Sequence, residues 1–333
     1  MGVPHWVHAR GRDDLVSTSL EVLMRRTLAN VVTVLLTLLL AGALIAATGG
    51  TGRAAGEERC LDHEAGVHHV RLSGSHVGEY EQTALPDRTL INGDRATWRG
   101  RLSYVLVVGG GPHLCLDGGS IRGTWPQDTP WETMHSTAAV VDSAPAATVQ
   151  DLRVHDYGDS IRFVEGAQGW LVRRVELSDS RDDCLENDWL YAGTVEDSLL
   201  NGCYNAFSAR TYSGQSGVVN GSGNLFTVEH TLVWLRPMGT YDGKHQPGTA
   251  GFFKWDPAGP RLSLHHNVFR ADMRAGTVGL SIPSGKLASC SDNVLVWLGK
   301  GHFPRHLPRC FRITRDARVW HRAVRQWHQQ NGP

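Results

Sequence analysis

The sequence has no excess of charge of either sign, because 33 lysines and arginines are balanced by 33 aspartates and glutamates. A chain without summed charge has no general electrostatic attraction to nucleic acid or to an anionic membrane. The cysteines show neither a zinc-binding pattern nor a C-x-x-C redox pair. The glycine run 109–111 lacks the Lys-Ser/Thr ending of a phosphate-binding loop. We therefore expect no nucleic acid partner and interpret the glycine run as a turn.

Charged residues are also absent from a long stretch near the N-terminus, residues 27–52. Residues 28–48 are mostly Leu, Val and Ala, and they follow Arg25 and Arg26 at the end of a basic segment, 1–27. A helix of that length spans the roughly 30 Å core of a bilayer, and the arginines favour a cytoplasmic N-terminus. The alternative is a cleaved signal peptide that starts at Met24. Both interpretations place the rest of the chain outside the cytoplasm, secreted or anchored by one span.

Six cysteines follow this segment: Cys60, Cys115, Cys184, Cys203, Cys290 and Cys310. Outside the cytoplasm they are able to form disulfides, but their pairing cannot be deduced from their number. Cys290 with Cys310 is the pair to test first. Cys184 shares the register of Ile161 and Phe207, so we interpret it as a small buried apolar residue.

An internal repeat organises the middle of the chain. Val149, Val172 and Val195 are spaced by 23 residues. A second apolar column advances by the same interval: Ile161, Cys184 and Phe207. Repeats of about 20 to 50 residues are typical of solenoids, in which each unit buries its apolar face against its neighbours.

Each repeat unit contains two short strands around a polar turn. Apolar residues recur at Val149, Leu152 and Val154 and again at Ile161 and Phe163, mostly two residues apart, with Gly and Asp between the two groups. This period indicates strands, and neither the leucine-rich signature nor the roughly 40-residue period of propeller blades is present. We predict an all-β fold, a right-handed parallel β-helix over residues 67–312 that follows a linker at 49–66.

The later units keep this register but carry longer insertions. The first strand recurs at 195–200, 228–233, 264–269 and 290–295. One inward position of these strands is polar throughout: Ser198, Thr231, Asn267 and Asn293. Stacked side chains of this type form hydrogen bonds with each other and with neighbouring backbone, so we predict a structural ladder.

The C-terminal residues 313–333 have the pattern of a helix. Thr314 and Asp316 are both suited to its N-cap. Apolar residues then recur at helical spacing: Val319, Trp320, Ala323, Val324 and Trp327. Because an open solenoid exposes strand edges, we interpret this segment as a capping helix.

A column of polar residues begins the second strand of successive units. Its members are Asp159, then Asp182 with Asp183, then Asn205. Neighbouring strands lie about 4.8 Å apart, so the carboxylates are expected to approach closely enough to raise a pKa by repulsion of like charges. A carboxyl group with a raised pKa is suited to act as the general acid of glycoside hydrolysis.

The sequence Asp182-Asp183-Cys184 resembles the Asp-Asp-Cys segment of polygalacturonase-type glycoside hydrolases, which are right-handed parallel β-helices. Asp159 lies one unit earlier, roughly where that family has a third catalytic aspartate. The resemblance implies that Asp159, Asp182 and Asp183 are the acid and base groups and that the substrate is a uronate-containing polysaccharide. More broadly, the chain resembles β-helix repeat proteins of the pectin-lyase-like superfamily, in which the fold is shared more widely than the activity.

Two longer insertions contain aromatic and cationic residues that suit an anionic sugar. With Asn205, the predicted substrate-binding residues are Arg210, Tyr241, Lys254 and Trp255. A hydrolase of this kind needs no cofactor and no metal. A lyase is the alternative enzyme: Lys254 or Arg210 would be the base, and Asp183 and Glu186 would bind Ca²⁺ through oxygen ligands.

A purely structural role for the polar column is the other interpretation, because Asp and Asn at a β-helix corner commonly accept backbone hydrogen bonds. Glu186 and Asp188 continue the strand. A period of two from Cys184 would point them inward in a straight strand, so they either mark a bend or face a solvent-filled groove. The sequence thus leaves three hypotheses: a polysaccharide hydrolase or lyase, a non-catalytic glycan-binding solenoid, and a structural cell-surface protein.

Overall fold

The computed structural model of the protein describes residues 60–61, 64–212, 215, 219–238, 249–274 and 279–332. The predicted basic segment 1–27, the membrane-spanning or signal segment 28–48 and most of the linker 49–66 lie outside these residues. Within the described residues, no helix is both long enough and apolar enough to cross a membrane.

The described residues form short strands in succession and two α-helices. The strands are β1 (His68–His76), β2 (Tyr80–Leu85), β3 (Thr89–Gly100), β4 (Tyr104–Gly110), β5 (Cys115–Asp117), β6 (Ser120–Gly123), β7 (Ala138–Asp142), β8 (Thr148–Gln150), β9 (Arg153–His155), β10 (Asp159–Phe163), β11 (Trp170–Arg173), β12 (Glu176–Asn187), β13 (Gly193–Glu196), β14 (Leu199–Ala209), β15 (Leu225–Glu229), β16 (Leu232–Leu235), β17 (Gly251–Trp255), β18 (Arg261–His265), β19 (Val268–Ala271), β20 (Leu287–Ser291), β21 (Asn293–Trp297) and β22 (Phe311–Thr314). The helices are α1 (Trp131–Met134) and α2 (Ala317–Asn331).

Parallel pairing stacks these strands into three faces around a common interior. Face A contains β5, β8, β11, β13, β15, β18 and β20, face B contains β6, β9, β16, β19, β21 and β22, and face C contains β2, β4, β7, β10 and β17. The long strands turn a corner: β1 and β3 run through faces A and B, and β12 and β14 run through faces B and C. The predicted fold, an all-β parallel β-helix, is confirmed.

The inward columns of residues explain the repeat. Val172 pairs in register with Val149 on one side and Val195 on the other, and all three are fully buried. The second predicted column is wrong in one member, because Ile161 pairs with Leu185 and not with Cys184. A register shift between Ser180 and Asp183 in β12 moves the column by one residue.

The polar ladder between faces A and B is confirmed. Asn267 donates from Nδ2 to the carbonyl of Val228 at 2.8 Å and to Oδ1 of Asn293 at 2.9 Å. Its own Oδ1 accepts from the backbone N–H of Thr231 at 2.9 Å. Each ladder residue lies in a tight turn between face A and face B. The residue directly before it has a positive φ, for example 56° at His266 before Asn267. Stacked amides thus satisfy the backbone groups that this turn removes from the sheet.

All six cysteines are paired, as Cys60–Cys115, Cys184–Cys203 and Cys290–Cys310. The expected pair Cys290–Cys310 is confirmed. Cys184 is buried in the hydrophobic core as interpreted, but it is also bonded to Cys203, with the two Cα atoms 5.5 Å apart. Disulfides are typical of oxidising compartments.

The predicted C-terminal helix is α2, and Asp316 is its N-cap, accepting from the backbone N–H of Arg318. Trp320 and Trp327 are buried on it, in a cluster with outward residues of face B such as Leu199 and Leu232. The helix therefore lies along the flank of the solenoid and covers face B over several rungs.

Substitution of the central ladder residue tests this account of the turn. Asn267→Ala removes two donated hydrogen bonds and one accepted bond from a fully buried position. We expect the free energy of unfolding to fall by about 3 kcal/mol, because buried backbone groups lose their partners. Urea unfolding followed by circular dichroism measures the change, and Gln168→Ala at an exposed position is the control. A loss equal to that of the control would contradict a structural role for the ladder.

Candidate active site

Face C brings the predicted polar column together at the beginning of its strands. Asp183 pairs in register with Asn205, and Oδ1 of Asp159 accepts from the backbone N–H of Asp183 at 3.0 Å. Asp159, Asp183 and Asn205 are all fully buried. Parallel strands about 4.8 Å apart place the same corner of each rung directly above the last, so the column is a consequence of the register.

Asp159 is bonded through both carboxylate oxygens. Its Oδ2 accepts from Nε of Arg162 at 2.9 Å, while its Oδ1 holds the Asp183 backbone. The same guanidinium lies 2.5 Å from Oε2 of Glu186 and donates to the carbonyl of His135 at 3.0 Å. Arg162 therefore joins two carboxylates of adjacent rungs and one loop.

Asp183 is also bonded through both carboxylate oxygens. Oδ1 accepts from Nδ2 of Asn205 at 2.6 Å, and Oδ2 accepts from Nζ of Lys254 at 2.8 Å. Lys254 comes from β17, whose preceding insertion is long, and its side chain is 22% exposed. The two predicted residues Asn205 and Lys254 therefore meet Asp183, and through it they join the aspartate column.

One outward column of face C crosses this cluster. In register, Arg162 pairs with Glu186, Glu186 with Ser208, and Ser208 with Lys254. Glu186 points outward, because the register shift in β12 places Leu185 in the inward column; of the two alternatives for this residue, an irregularity in the strand is therefore the one that the structure supports. Glu186 thus lies one rung from the guanidinium of Arg162 and two rungs from the ammonium group of Lys254.

Asp182 lies beside the column, next to the segment 124–136 that connects β6 to β7. Nε1 of Trp131 donates to Oδ1 of Asp182 at 3.2 Å, and the Trp131 ring stacks on His135 with ring centroids 4.4 Å apart. Arg181 fixes the start of the segment by donating to the carbonyls of Trp125 and Pro126. The segment therefore forms a wall over one side of the carboxylate cluster.

Burial sets the protonation of these carboxyl groups. Desolvation, followed by repulsion from Asp183 and Asp159, raises the pKa of Asp182 well above its ordinary value. Desolvation, followed by the charge of Asp159, does the same to the pKa of Glu186. Desolvation raises the pKa of Asp188 to about 6, although Arg162 opposes the shift. The cluster thus contains several carboxyl groups whose pKa is raised, and in Glu186 burial and repulsion outweigh the opposing charge of Arg162.

The pKa of Asp183 is raised less strongly. Desolvation raises it, while Lys254 lowers it by charge and by a hydrogen bond. Desolvation alone would lower the pKa of Lys254, but the charges of Asp183, Asp182 and Glu186 outweigh burial and raise it. Lys254 is therefore a firmly protonated partner of Asp183.

The ligand type at this cluster suits a hard cation, but its charges do not. Oxygens of Asp159, Asp183 and Glu186 lie within 4.8 Å of one another, and carboxylate oxygens are ligands of Ca²⁺. Arg162 and Lys254 already bind the same three carboxylates. A bound Ca²⁺ would have to displace both side chains, so the arrangement does not fit the metal, and we derive no step through it.

The remaining predicted substrate-binding residues lie apart from the cluster or outside the described residues. Arg210 is exposed directly after β14, and Tyr241 is outside the described part of the chain. Trp255 is partly buried: its ring packs edge-on against Phe226 at 5.1 Å, and Nε1 donates to the carbonyl of Pro260 at 2.9 Å. The Trp255 ring is thus engaged in packing.

Two residues at the centre of the site, Arg162 and Ser208, are missing from the sequence-based prediction. Arg162, Glu186 and Ser208 are separated by 24 and 22 residues, close to the repeat period, so the polar column was visible in principle. The register shift in β12 leaves no signal in residue type, so the common outward orientation of these three residues was not recognised.

Comparison with protein-family models, with curated proteins and with the solved structures finds no match to this chain.

Removal of the ammonium group at Asp183 tests the electrostatic account of the cluster. Lys254→Met leaves a fully buried carboxylate without its cation, and we expect the free energy of unfolding to fall by about 3 kcal/mol near neutral pH. The pKa of Lys254 is raised, so its charge is constant at neutral pH and below. The loss should shrink as the pH falls, because Asp183 then takes up a proton in the variant.

Urea unfolding at about pH 7.5 and pH 5 measures the loss of unfolding free energy and its dependence on pH. Lys300→Met, at an exposed position, is the control. A loss that is the same at both pH values would contradict the assignment of the effect to Asp183.

Proposed function

We propose that this protein is an extracytoplasmic glycoside hydrolase that acts on an acidic, uronate-containing polysaccharide. One observation carries the proposal: the carboxyl group of Glu186, with a pKa raised well above its ordinary value, lies in an outward column of a β-helix between Arg162 and Lys254. A protonated carboxyl group is the general acid that glycoside hydrolysis requires. The flanking cations suit the carboxylates of a uronate polymer.

In the proposed reaction, Glu186 gives its proton to the oxygen of the glycosidic bond as the bond to C1 breaks. Asp188, whose pKa of about 6 leaves it largely ionised at neutral pH, takes a proton from the water that attacks C1. One water is consumed, and one reducing end is formed for each bond broken. The proton is then returned from Asp188 to Glu186 through solvent.

The predicted catalytic aspartates take supporting roles in this proposal. Asp183 is fully buried and bonded through both oxygens, so it supplies a fixed negative charge beside the developing positive charge on the sugar. Asp159 holds Arg162 against Glu186. Asp182, the second carboxyl group with a strongly raised pKa, is the other residue suited to hold the proton.

A buried hydroxyl group supports the presence of a ligand at this column. Ser208 is 1% exposed, and its Oγ has no hydrogen-bond partner among the described residues. It lies between Glu186 and Lys254 in register. Buried hydroxyl groups are normally paired, so a sugar hydroxyl or a water is the expected partner.

The charge of Lys254 is the reason to prefer hydrolysis to elimination. A lyase base must be unprotonated to remove the proton beside a uronate carboxylate. The surrounding carboxylates raise the pKa of Lys254, which holds it in the protonated form.

The resemblance to polygalacturonase-type hydrolases and to the pectin-lyase-like superfamily belongs to this proposal. It rests on Asp182-Asp183-Cys184 within a parallel β-helix, and the residues around Asp159 and Asn205 depart from the family's motifs. Three disulfides fit an extracellular protein. Secretion, or anchoring by residues 28–48, is part of the proposal.

A non-catalytic glycan-binding function is the second candidate. The observation in its favour is that Asp159 and Asp183 are each bonded through both carboxylate oxygens. An ion-pair network of this kind is able to rigidify a corner of the solenoid while the outward cations bind sugar carboxylates.

A product screen over a polysaccharide panel tests the enzymatic proposal. We expect new reducing ends from an acidic polymer without the absorbance of unsaturated uronates. Glu186→Gln should reduce the rate by about 100-fold or more, because general acid catalysis is lost. Asp188→Asn should also reduce it, and the rate should be independent of added Ca²⁺.

The matched controls are Glu81→Gln, exposed on face C four rungs from Glu186, and Asp292→Asn, whose side chain is 72% exposed. Both should retain the activity. Unsaturated products would establish a lyase, and glycan binding without turnover by the unaltered protein would establish the binding function. Either result would overturn the hydrolase proposal.

A further inference from the structure

The outward side of face B is covered by helix α2 over only part of its length. The last turn of the helix reaches Arg153 on β9, whose guanidinium donates to the carbonyl of Asn331 and lies over the Trp327 ring, 5.2 Å from its centroid. On the N-terminal side of Arg153 lie the outward residues of β3 and β6, and these are exposed to solvent.

These exposed residues are arginines and hydroxyl-bearing residues. We call the set the arginine flank: Arg95, Thr97 and Arg99 on β3, and Ser120 and Arg122 on β6. Arg99 pairs in register with Arg122, and Thr97 with Ser120. Two guanidinium groups therefore stand one rung apart, about 4.8 Å, with a row of hydroxyl groups beside them.

The charge of the arginine flank is not neutralised by neighbouring carboxylates. Next to it, Arg153 is paired with Glu176 at 3.8 Å and His155 lies 3.5 Å from Asp179. Among the described residues, no carboxylate lies within ion-pair distance of the three flank arginines. Like charges opposite each other in a sheet are destabilising, so this arrangement favours an anion that bridges the two rungs.

A shallow groove of about 270 Å³ continues from the flank toward the end of helix α2. Its polar lining residues are Ser120, Arg122, Arg153, His155, Ser178 and Glu176, and the Glu176 carboxylate is the one paired with Arg153. Its volume is below the roughly 300 Å³ at which pockets for drug-sized ligands begin. A groove of this size suits one monomer unit of a longer chain.

We propose that the arginine flank and its groove bind an acidic polysaccharide along the solenoid axis, at a surface separate from the carboxylate cluster. Arginine binds carboxylates through two parallel hydrogen bonds, and the serine and threonine hydroxyls pair with sugar hydroxyls. The corner 156–158 separates this surface from Asp159 on face C. The polymer class rests on the proposed function, whereas the site rests on the residues of face B.

The chemistry of the flank favours a glycan over a lipid surface. Membrane-surface binding combines cationic residues with large apolar side chains that enter the lipid. All five flank residues are arginines, serine or threonine, so nothing in the set is suited to insertion. A repeating anionic polymer, in contrast, matches cations that repeat at the rung spacing.

Binding of polygalacturonate chains to the full-length protein tests the proposal, with calorimetry at low salt as the measurement. Arg99→Gln with Arg122→Gln should weaken binding roughly tenfold and reduce its dependence on salt. The matched control is Arg309→Gln with Arg312→Gln, which removes the same charge from exposed positions near the C-terminal end of the solenoid. Fully methyl-esterified chains, which lack the carboxylates, should bind weakly to all variants.

The same experiment separates this proposal from the hydrolase. Glu186→Gln should bind the long polymer as the unaltered protein does, and the flank variant should keep its activity on short oligomers if the protein is a hydrolase. Equal binding by the flank variant and its control would overturn the proposal, as would no binding of polygalacturonate by any variant. Loss of binding to vesicles of anionic phospholipid, with polymer binding unchanged, would also overturn it in favour of a membrane surface.

Discussion

The in-register stacking of parallel rungs is the constraint on which the rest of this structure depends. Each rung places its side chains about 4.8 Å from the equivalent side chains of the next, so any residue type that recurs at the repeat period forms a continuous column. Valine columns form the core in this way, as at Val149, Val172 and Val195. The same geometry brings Asp159 and Asp183 together, where repulsion between buried charges must be offset.

Two cations on strands of face C, Arg162 and Lys254, offset that repulsion. Arg162 joins Asp159 to Glu186, and Lys254 reaches Asp183 from a strand two rungs away from it. The two cations are fewer than the buried carboxyl groups of the cluster. Desolvation raises the pKa of Asp182 and of Glu186 well above the ordinary value, so these two groups keep their protons. The excess of carboxyl groups over cations therefore affects both stability and the proposed reaction. The proton on Glu186 reduces the buried negative charge, and it is also the proton that the proposed reaction gives to the glycosidic oxygen.

The architecture could be predicted from the sequence because it depends on periodicity. The valine column, the polar ladder around Asn267 and the C-terminal helix all follow from residue spacing, and the structure confirms them. The orientation of Glu186 could not be predicted, because one register shift in β12 reverses inward and outward positions without changing the composition. The disulfide of Cys184 could not be predicted either, because six cysteines allow 15 pairings.

The site was predicted in part. Asp159, Asp182, Asp183 and Asn205 lie close together as expected, since they stand where adjacent rungs enter face C. The cations were harder to place: Lys254 follows an insertion of unpredictable path, and its contact with Asp183 depends on how that insertion returns to face C. Trp131 donates to Asp182 from the segment between β6 and β7, about 50 residues earlier in the chain, and this contact depends on tertiary structure alone.

The central claim is that burial keeps a proton on Glu186 on the outward side of face C. Carbon-13 NMR of glutamate side-chain carboxyl groups, recorded across a pH titration, measures this directly. We predict one glutamate resonance that titrates well above the ordinary value of about 4.3 and that is missing from the spectrum of Glu186→Gln. A titration in which every glutamate loses its proton near the ordinary value would contradict the account.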